Sequence, residues 1–321
     1  YIGIIGGTGT IGSIIVKYLL QLQTHFHVLI GGRRSIKEIS MSTFYNSERL
    51  KYNQMNYNND VELDNFCSQC LLVINAVGPS FKINDKIALH ALRNNCHYID
   101  IGGYGILRDL LKPYEKSIEA QKLCFIIGVG WMPGISGVFS KTIIETHLNS
   151  PENTNFNIYY GAVDNWSYSS TYDLAASSMG KTRSYVYSHG KEIQVSPFRY
   201  THHKFFPFIG HKKICMPSFD EQLTQLATSL KQIRKISTFI MLNDYISMGK
   251  FMFIKIFYKH NLNKATLMLQ DDYQRLVKKE NKWGSVICQV SKIEPERKID
   301  TFYYLYTKNN LLYTALPAVI T

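Results

Sequence analysis

The feature that most limits what this 321-residue chain can fold into is the run Gly6-Gly7-Thr8-Gly9-Thr10-Ile11-Gly12. It sits between an apolar strand pattern at residues 2–5 and an amphipathic helical pattern from Ile11 to Leu22. The run reads as G-x-x-G-x-x-G and, from Gly7, as G-x-G-x-x-G. With a strand before it and a helix after it, such a run binds a dinucleotide. The chain must turn sharply, the pyrophosphate must reach bare backbone N–H groups at a helix N-terminus, and helix and strand must pack closely. Gly6, Thr8, Gly9, Thr10, Ile11 and Gly12 are therefore the expected pyrophosphate-binding residues.

The rest of the first half repeats this alternation of short apolar runs and helix-length amphipathic stretches, the pattern of a parallel sheet covered by helices. Strands are expected at residues 2–5, 27–30, 52–55, 71–75, 98–101 and 125–127. Between them lie helices over about 83–95 and 107–122, with another beginning near Ser136. The fold class is α/β, a Rossmann-type doubly wound parallel sheet. After Pro151 the composition shifts to Tyr, Asn, Ser and Thr, and alternating runs at 156–163 and 184–195 predict antiparallel strands around a helix, hence a second α+β domain. The expected division is a nucleotide-binding domain over 1–134, a substrate or dimerisation domain over 135–301, and a segment 302–321 that returns to the first domain.

Strand two should end, about 20 residues past the glycines, at the adenosine ribose. An NAD site usually places Asp or Glu there. This chain has Arg33 and Arg34, and two guanidiniums hold a 2′-phosphate through charge-assisted forks. NADP(H) is thus favoured over NAD(H). Asn75, Ala76, Val77, Gly78 and Pro79 follow the fourth strand. At the carboxyl end of a parallel strand, such small residues suit a loop beneath the ribose and nicotinamide, though a plain strand-to-helix turn explains them equally well.

Charge and cysteines exclude several classes. The formal net charge of +12 comes from dispersed pairs such as Lys212-Lys213, Arg234-Lys235 and Lys278-Lys279 rather than a cluster, which argues against a nucleic-acid partner. Six cysteines in a chain with no visible signal peptide read as reduced thiols, so a cytoplasmic location is expected. Cys67 and Cys70 form a C-x-x-C that precedes a strand and lacks a second pair, so neither zinc nor thioredoxin-like chemistry is expected there. His202, His203 and His211 fit no metal pattern. The segment 239–258 is broken by Asn243, Asp244, Lys250 and Lys255, fails as a spanning helix, and reads as a buried amphipathic helix in preference to one lying on a membrane surface. Tyr1 falls inside a strand pattern and Thr321 inside a helical one, so the sequence is expected to be trimmed from a longer chain.

In the glycine turn at 6–12, the Asn75 to Pro79 turn, the strand end Tyr98-Ile99-Asp100-Ile101-Gly102-Gly103 and the turn Gly128 to Gly134, the chain resembles the saccharopine dehydrogenase-like family. Order and spacing match over about residues 1–145. Ser178-Met179-Gly180-Lys181-Thr182 and His189-Gly190 extend the resemblance faintly. It implies a nucleotide domain, an inserted α+β domain and a last helix returning to the first domain, here 314–320, together with a homodimer and pyridine-nucleotide chemistry on an imine, amino acid or related compound. Where many relatives have an acidic residue after the Asp-x-x-Gly strand end, this chain has Tyr104, and it shows no clear counterpart of a catalytic Lys and His pair.

Hydride transfer is cofactor chemistry, so the protein needs mainly a proton donor and groups that orient the acceptor. Asp100, Tyr104 and Tyr172 are the candidate catalytic residues, and Tyr98, Trp131, Lys181 and Arg183 the candidate substrate-binding residues. Three functions stay open: an NADPH-dependent reductase of a small C=N or C=O compound, a trans-acting enoyl reductase serving a substrate on an acidic carrier protein, and a non-catalytic NADP-binding sensor or scaffold.

Overall fold

The computed structural model describes residues 1–22, 25–35, 47–147, 151–179, 184–258 and 260–321. They form two compact units, one of Tyr1–Gly134 with Leu311–Thr321, the other of Ile135–Asn310.

The first unit is built on six parallel strands, β1 (Ile2–Ile5), β2 (Val28–Gly32), β3 (Leu50–Gln54), β4 (Leu72–Asn75), β5 (His97–Asp100) and β6 (Phe125–Ile127). They lie in the order β3-β2-β1-β4-β5-β6, so the chain reverses its winding direction between β1 and β4. Side chains alternate across the strands, and both faces are apolar because both are covered. Ile5, Leu29, Val73 and Tyr98 pack on one face beneath α2 (Asp60–Cys67), α3 (Lys86–Arg93) and α4 (Tyr104–Leu111). Ile4, Ile30, Ile74 and Ile99 pack on the other with Ile15, Val16 and Leu19 of α1 (Thr10–Gln21), joined by Ala315 and Ala318 from the chain's last two helices.

Helix α2 was not among the expected elements, although its start signal is in the sequence. Asn59 accepts from the N–H groups of Val61 and Glu62, and Glu62 receives the Asn59 amide at 2.7 Å, a reciprocal cap. The C-x-x-C cysteines lie at the end of this helix and in the turn after it, buried beside Cys96, whose Sγ lies 3.1 Å from the carbonyls of both Cys67 and Cys70 and donates its one proton to one or the other. Burial pushes the Cys70 thiol up to about 12 and Cys96 up to about 11, so both stay protonated and inert.

The second unit holds an eight-stranded mixed sheet. Its path runs β10 (His202–Phe206), β11 (His211–Pro217), β12 (Lys235–Leu242), β7 (Thr154–Val163), β13 (Trp283–Ile293), β14 (Lys298–Thr307), with the hairpin β8 (Ser184–Ser188) and β9 (Lys191–Val195) attached to β12. β13 is paired on both sides along nearly its whole length, to β7 and to β14, so residues 302–310 belong to this unit rather than to the returning segment. The segment 239–258 is also divided differently from expectation. Residues 239–242 complete β12, with Phe239 and Ile240 paired to both β11 and β7 and Met241 and Leu242 to β11, and only Tyr245–Phe257 is helical. The sheet is covered by α5 (Ile135–Thr146), α6 (Tyr168–Met179), α7 (Glu221–Ser229), α8 (Tyr245–Phe257) and α9 (Leu262–Lys279).

Candidate functional site

The glycine turn leaves β1 at its carboxyl end, beside the point where the sheet changes direction. Gly6 has φ +83, a conformation that side chains strain, and a Cβ there would lie 2.9 Å from Val77 Cγ2 and 3.0 Å from the Ala76 carbonyl carbon. The loop after β4 is thus pressed against the glycine turn, and the Ala76 N–H donates to Ile5 O at 2.9 Å. At Gly12 a Cβ would meet Gly6 O at 2.2 Å and Gly7 Cα at 2.7 Å, so only glycine lets α1 start this close to the strand.

What α1 presents at that start is unsatisfied N–H groups. The first N–H groups of any helix have no acceptor within it. Here the N-cap is Gly9, which offers no side chain, and the first turn contains no acidic residue. Among the described residues the N–H groups of Thr10, Ile11 and Gly12 therefore have no acceptor, and they and the positive end of the helix face the turn.

Arg33 and Arg34 follow β2 directly and are exposed. Their backbone is fixed from β3. The Tyr52 hydroxyl lies 2.8 Å from Gly32 O and 2.5 Å from Arg34 O, donating its one proton to one or the other, and Gln54 Nε2 donates to Arg33 O at 3.3 Å. Thr8 closes the gap from the glycine turn, since a Cβ at Gly32 would sit 3.3 Å from its Oγ1. Tyr52 and Gln54 were not among the sequence candidates. The available signal was their i, i+2 spacing on a strand adjacent to the arginines. Gly6 to Gly12, Arg33, Arg34 and Asn75 to Pro79 are thus gathered at one end of one sheet, and the uncapped helix start and paired guanidiniums fit the pyrophosphate and 2′-phosphate of NADP.

The expected catalytic and substrate residues are placed otherwise. Asp100 is 2% exposed. Its Oδ2 accepts from the Tyr98 hydroxyl at 2.6 Å and Asn75 Nδ2 at 2.8 Å, and its Oδ1 accepts from the Gly102 N–H at 2.9 Å. Asn75 in turn accepts the Val77 N–H at 3.0 Å. One carboxylate therefore ties the loop after β4 to the loop after β5, with both of its oxygens engaged inside the protein. Burial raises the Asp100 carboxyl above its ordinary range against the pull of these hydrogen bonds, and raises the Tyr98 phenol as well. Tyr98 is fully buried in the core under α4, which removes it as a substrate-binding residue. Trp131 is buried and packed edge-on against Tyr313, with its Nε1 unpaired among the described residues.

Tyr104 opens α4, but its side chain lies outside the described residues, as do Lys181 and Arg183 entirely. Tyr172 belongs to α6 of the second unit and is buried, its ring 6.1 Å from that of Tyr168. Among the described residues no group of His, Cys, Asp and Glu is placed to hold a metal.

Residues 2–124 match the family described as Saccharopine dehydrogenase NADP binding domain. No curated protein matches the sequence. Among solved structures, an apo saccharopine dehydrogenase (L-Glu forming) from Saccharomyces cerevisiae is similar at TM-score 0.65 and 12% identity, over 99% of this chain and 88% of that one. An engineered D-amino acid dehydrogenase bound to NADP+ aligns at TM-score 0.47 and 10% identity, over 98% and 85% of the two chains. A probable dehydrogenase from Thermotoga maritima aligns at 0.48 and 9%, also over 98% and 85%. At such identities the yeast structure shows a shared fold.

Proposed function

We propose that this chain, whose residues 2–124 match the saccharopine dehydrogenase NADP binding domain family, is an NADPH-dependent oxidoreductase that reduces a small C=N or C=O compound of amino-acid or secondary metabolism. The observation that carries this reading is the pairing of an uncapped helix start with two exposed arginines at the next strand end. The cofactor supplies a hydride from its nicotinamide when bound. The N–H groups of Thr10, Ile11 and Gly12 bind pyrophosphate, and Arg33 and Arg34 select the 2′-phosphate. Asn75 and Asp100 set the shape of the two loops after β4 and β5. The proton comes from outside the Tyr98–Asp100–Asn75 network, whose groups are spent on one another. Free cysteines throughout support operation in a reducing compartment such as the cytoplasm.

That same internal use of Asp100 and Tyr98 favours a second reading, an NADP-binding sensor with no turnover. The two are separated by following NADPH absorbance with purified protein over a panel of imines, 2-oxo acids and aldehydes, beside a binding titration. Consumption with any of them supports the reductase. Saturable binding without consumption supports the sensor, and failure to bind NADPH sinks both.

A further inference from the structure

Two adjacent arginines in an extended strand are poorly placed to hold one phosphate, because successive side chains point to opposite faces. Had β2 run straight on, Arg33 and Arg34 would be directed apart. Instead β2 ends at Gly32, and the chain bends at both arginines. The groups that hold this bend come from β3. Tyr52 and Gln54 stand two residues apart on one face of that strand. Together they reach three successive carbonyls, the Tyr52 hydroxyl 2.8 Å from Gly32 O and 2.5 Å from Arg34 O, and Gln54 Nε2 3.3 Å from Arg33 O. Neighbouring carbonyls of a straight strand alternate in direction, so three held from the same side require the bend. Gly32 O also accepts from the Met55 N–H at 2.8 Å.

Holding those carbonyls also aims the donors behind them. A trans peptide sets its N–H opposite its C=O. With the carbonyls of Gly32 and Arg33 held toward β3, the N–H groups of Arg33 and Arg34 are turned away from it, and among the described residues neither has an acceptor. Successive N–H groups turned to one side make an anion-binding concavity. Here both belong to arginines, so backbone donors and guanidiniums are carried by the same bend. Tyr52 suits the task because its ring is half-buried against the cluster that contains Ile30, whereas Arg33, Arg34 and Gln54 are exposed. A Cβ at Gly32 would lie 3.2 Å from the Tyr52 hydroxyl and 3.3 Å from Thr8 Oγ1. The bend therefore begins beside the glycine turn, where a dinucleotide's pyrophosphate and its adenosine 2′-phosphate come near one another.

We propose that Tyr52 is a positioning residue for nucleotide choice, assisted by Gln54, which fixes the bend that brings Arg33 and Arg34 to one 2′-phosphate. This role rests on the two arginines being the 2′-phosphate pair. The full chain, Tyr52→Phe and Tyr52→Phe/Gln54→Leu are titrated by calorimetry with NADPH and NADH, and with adenosine 2′,5′-bisphosphate and 5′-AMP. The wild type is expected to prefer the 2′-phosphorylated member of each pair. Tyr52→Phe keeps the ring and its packing and removes only the hydroxyl. It is expected to weaken NADPH and the bisphosphate by about three- to tenfold and to change NADH and 5′-AMP by less than about twofold. The double variant should lose about tenfold or more on the phosphorylated members alone. A hydroxyl that only stabilised the fold would lower both members of each pair together. Such parallel losses, or an unchanged preference in Tyr52→Phe, overturn the proposal and leave the assignment of the arginines standing. A wild type with no preference overturns both. Should the double variant not fold, Tyr52→Phe decides by itself.

Discussion

Two helices on the same sheet begin in opposite ways. α2 starts at a side-chain cap, with Asn59 taking two backbone N–H groups and Asp60 and Glu62 in its first turn, so its donors and its dipole are answered by the chain itself. α1 starts at Gly9, with no side-chain cap and no acid. Both helices pack well, so α1 does not need its bare end for folding. A helix end left bare among the described residues, beside a turn that tolerates no Cβ at Gly6 or Gly12, is the mark of a ligand.

The sharpest way to break this comparison is to give α1 the kind of start that α2 has. Gly9→Asp places a capping carboxylate among the donors, in backbone that any residue adopts at φ −79 and ψ 175. NADPH affinity by calorimetry is expected to fall at least about 100-fold, through competition and repulsion, while the thermal midpoint holds because Asp is a favoured N-cap. Unchanged affinity would mean that α1 does not bind the pyrophosphate. Next in size is Arg33→Ala/Arg34→Ala, expected to weaken NADPH by about 10–100-fold and NADH by no more than about threefold. Equal losses for the two nucleotides would remove the 2′-phosphate assignment.

The buried network at the ends of β4 and β5 resembles α2 in being satisfied from within, so disturbing it should cost stability first. In Asp100→Asn the new amide confronts a donor whichever way it turns, and urea unfolding is expected to show a loss of about 1–3 kcal/mol. The pH dependence has a definite sign. The Asp100 carboxyl is raised above its ordinary 3.8 in the folded protein, so its contribution is fully present below that value and is lost as pH rises through the raised one. The stability gap between wild type and Asp100→Asn should therefore narrow as pH increases through that window. A gap that widens would show that the folded carboxylate is ionised more readily than its burial implies. The smallest effect belongs to Asn59→Ala, about 1 kcal/mol of stability with NADPH affinity unchanged. An altered affinity there would blur the distinction between the two helix starts.

The placement of most of the candidate cofactor site was legible because its constraints are local. Gly6 to Gly12, Arg33 and Arg34 lie at strand ends, and the turn chemistry and the strand periodicity suffice to place them. Tyr52 and Gln54 escaped notice because their task is to hold carbonyls of a neighbouring strand, which depends on β3 lying beside β2. The burial of Asp100 and Tyr98 was not legible for a related reason. A Tyr and an Asp two residues apart near a strand end share a face, but periodicity does not say whether that face meets solvent or the helix that follows.

The sequence by itself thus determined the glycine turn, the parallel first unit and the paired arginines at the end of β2, because each follows from sterics or strand periodicity within a few residues of chain. Tertiary structure alone decided that Asp100 and Tyr98 are sealed beneath α4, that β14 joins the second sheet, and that α8 buries one apolar side while leaving the other exposed. Those outcomes depend on which surfaces distant segments cover, and burial is a property of the packed whole.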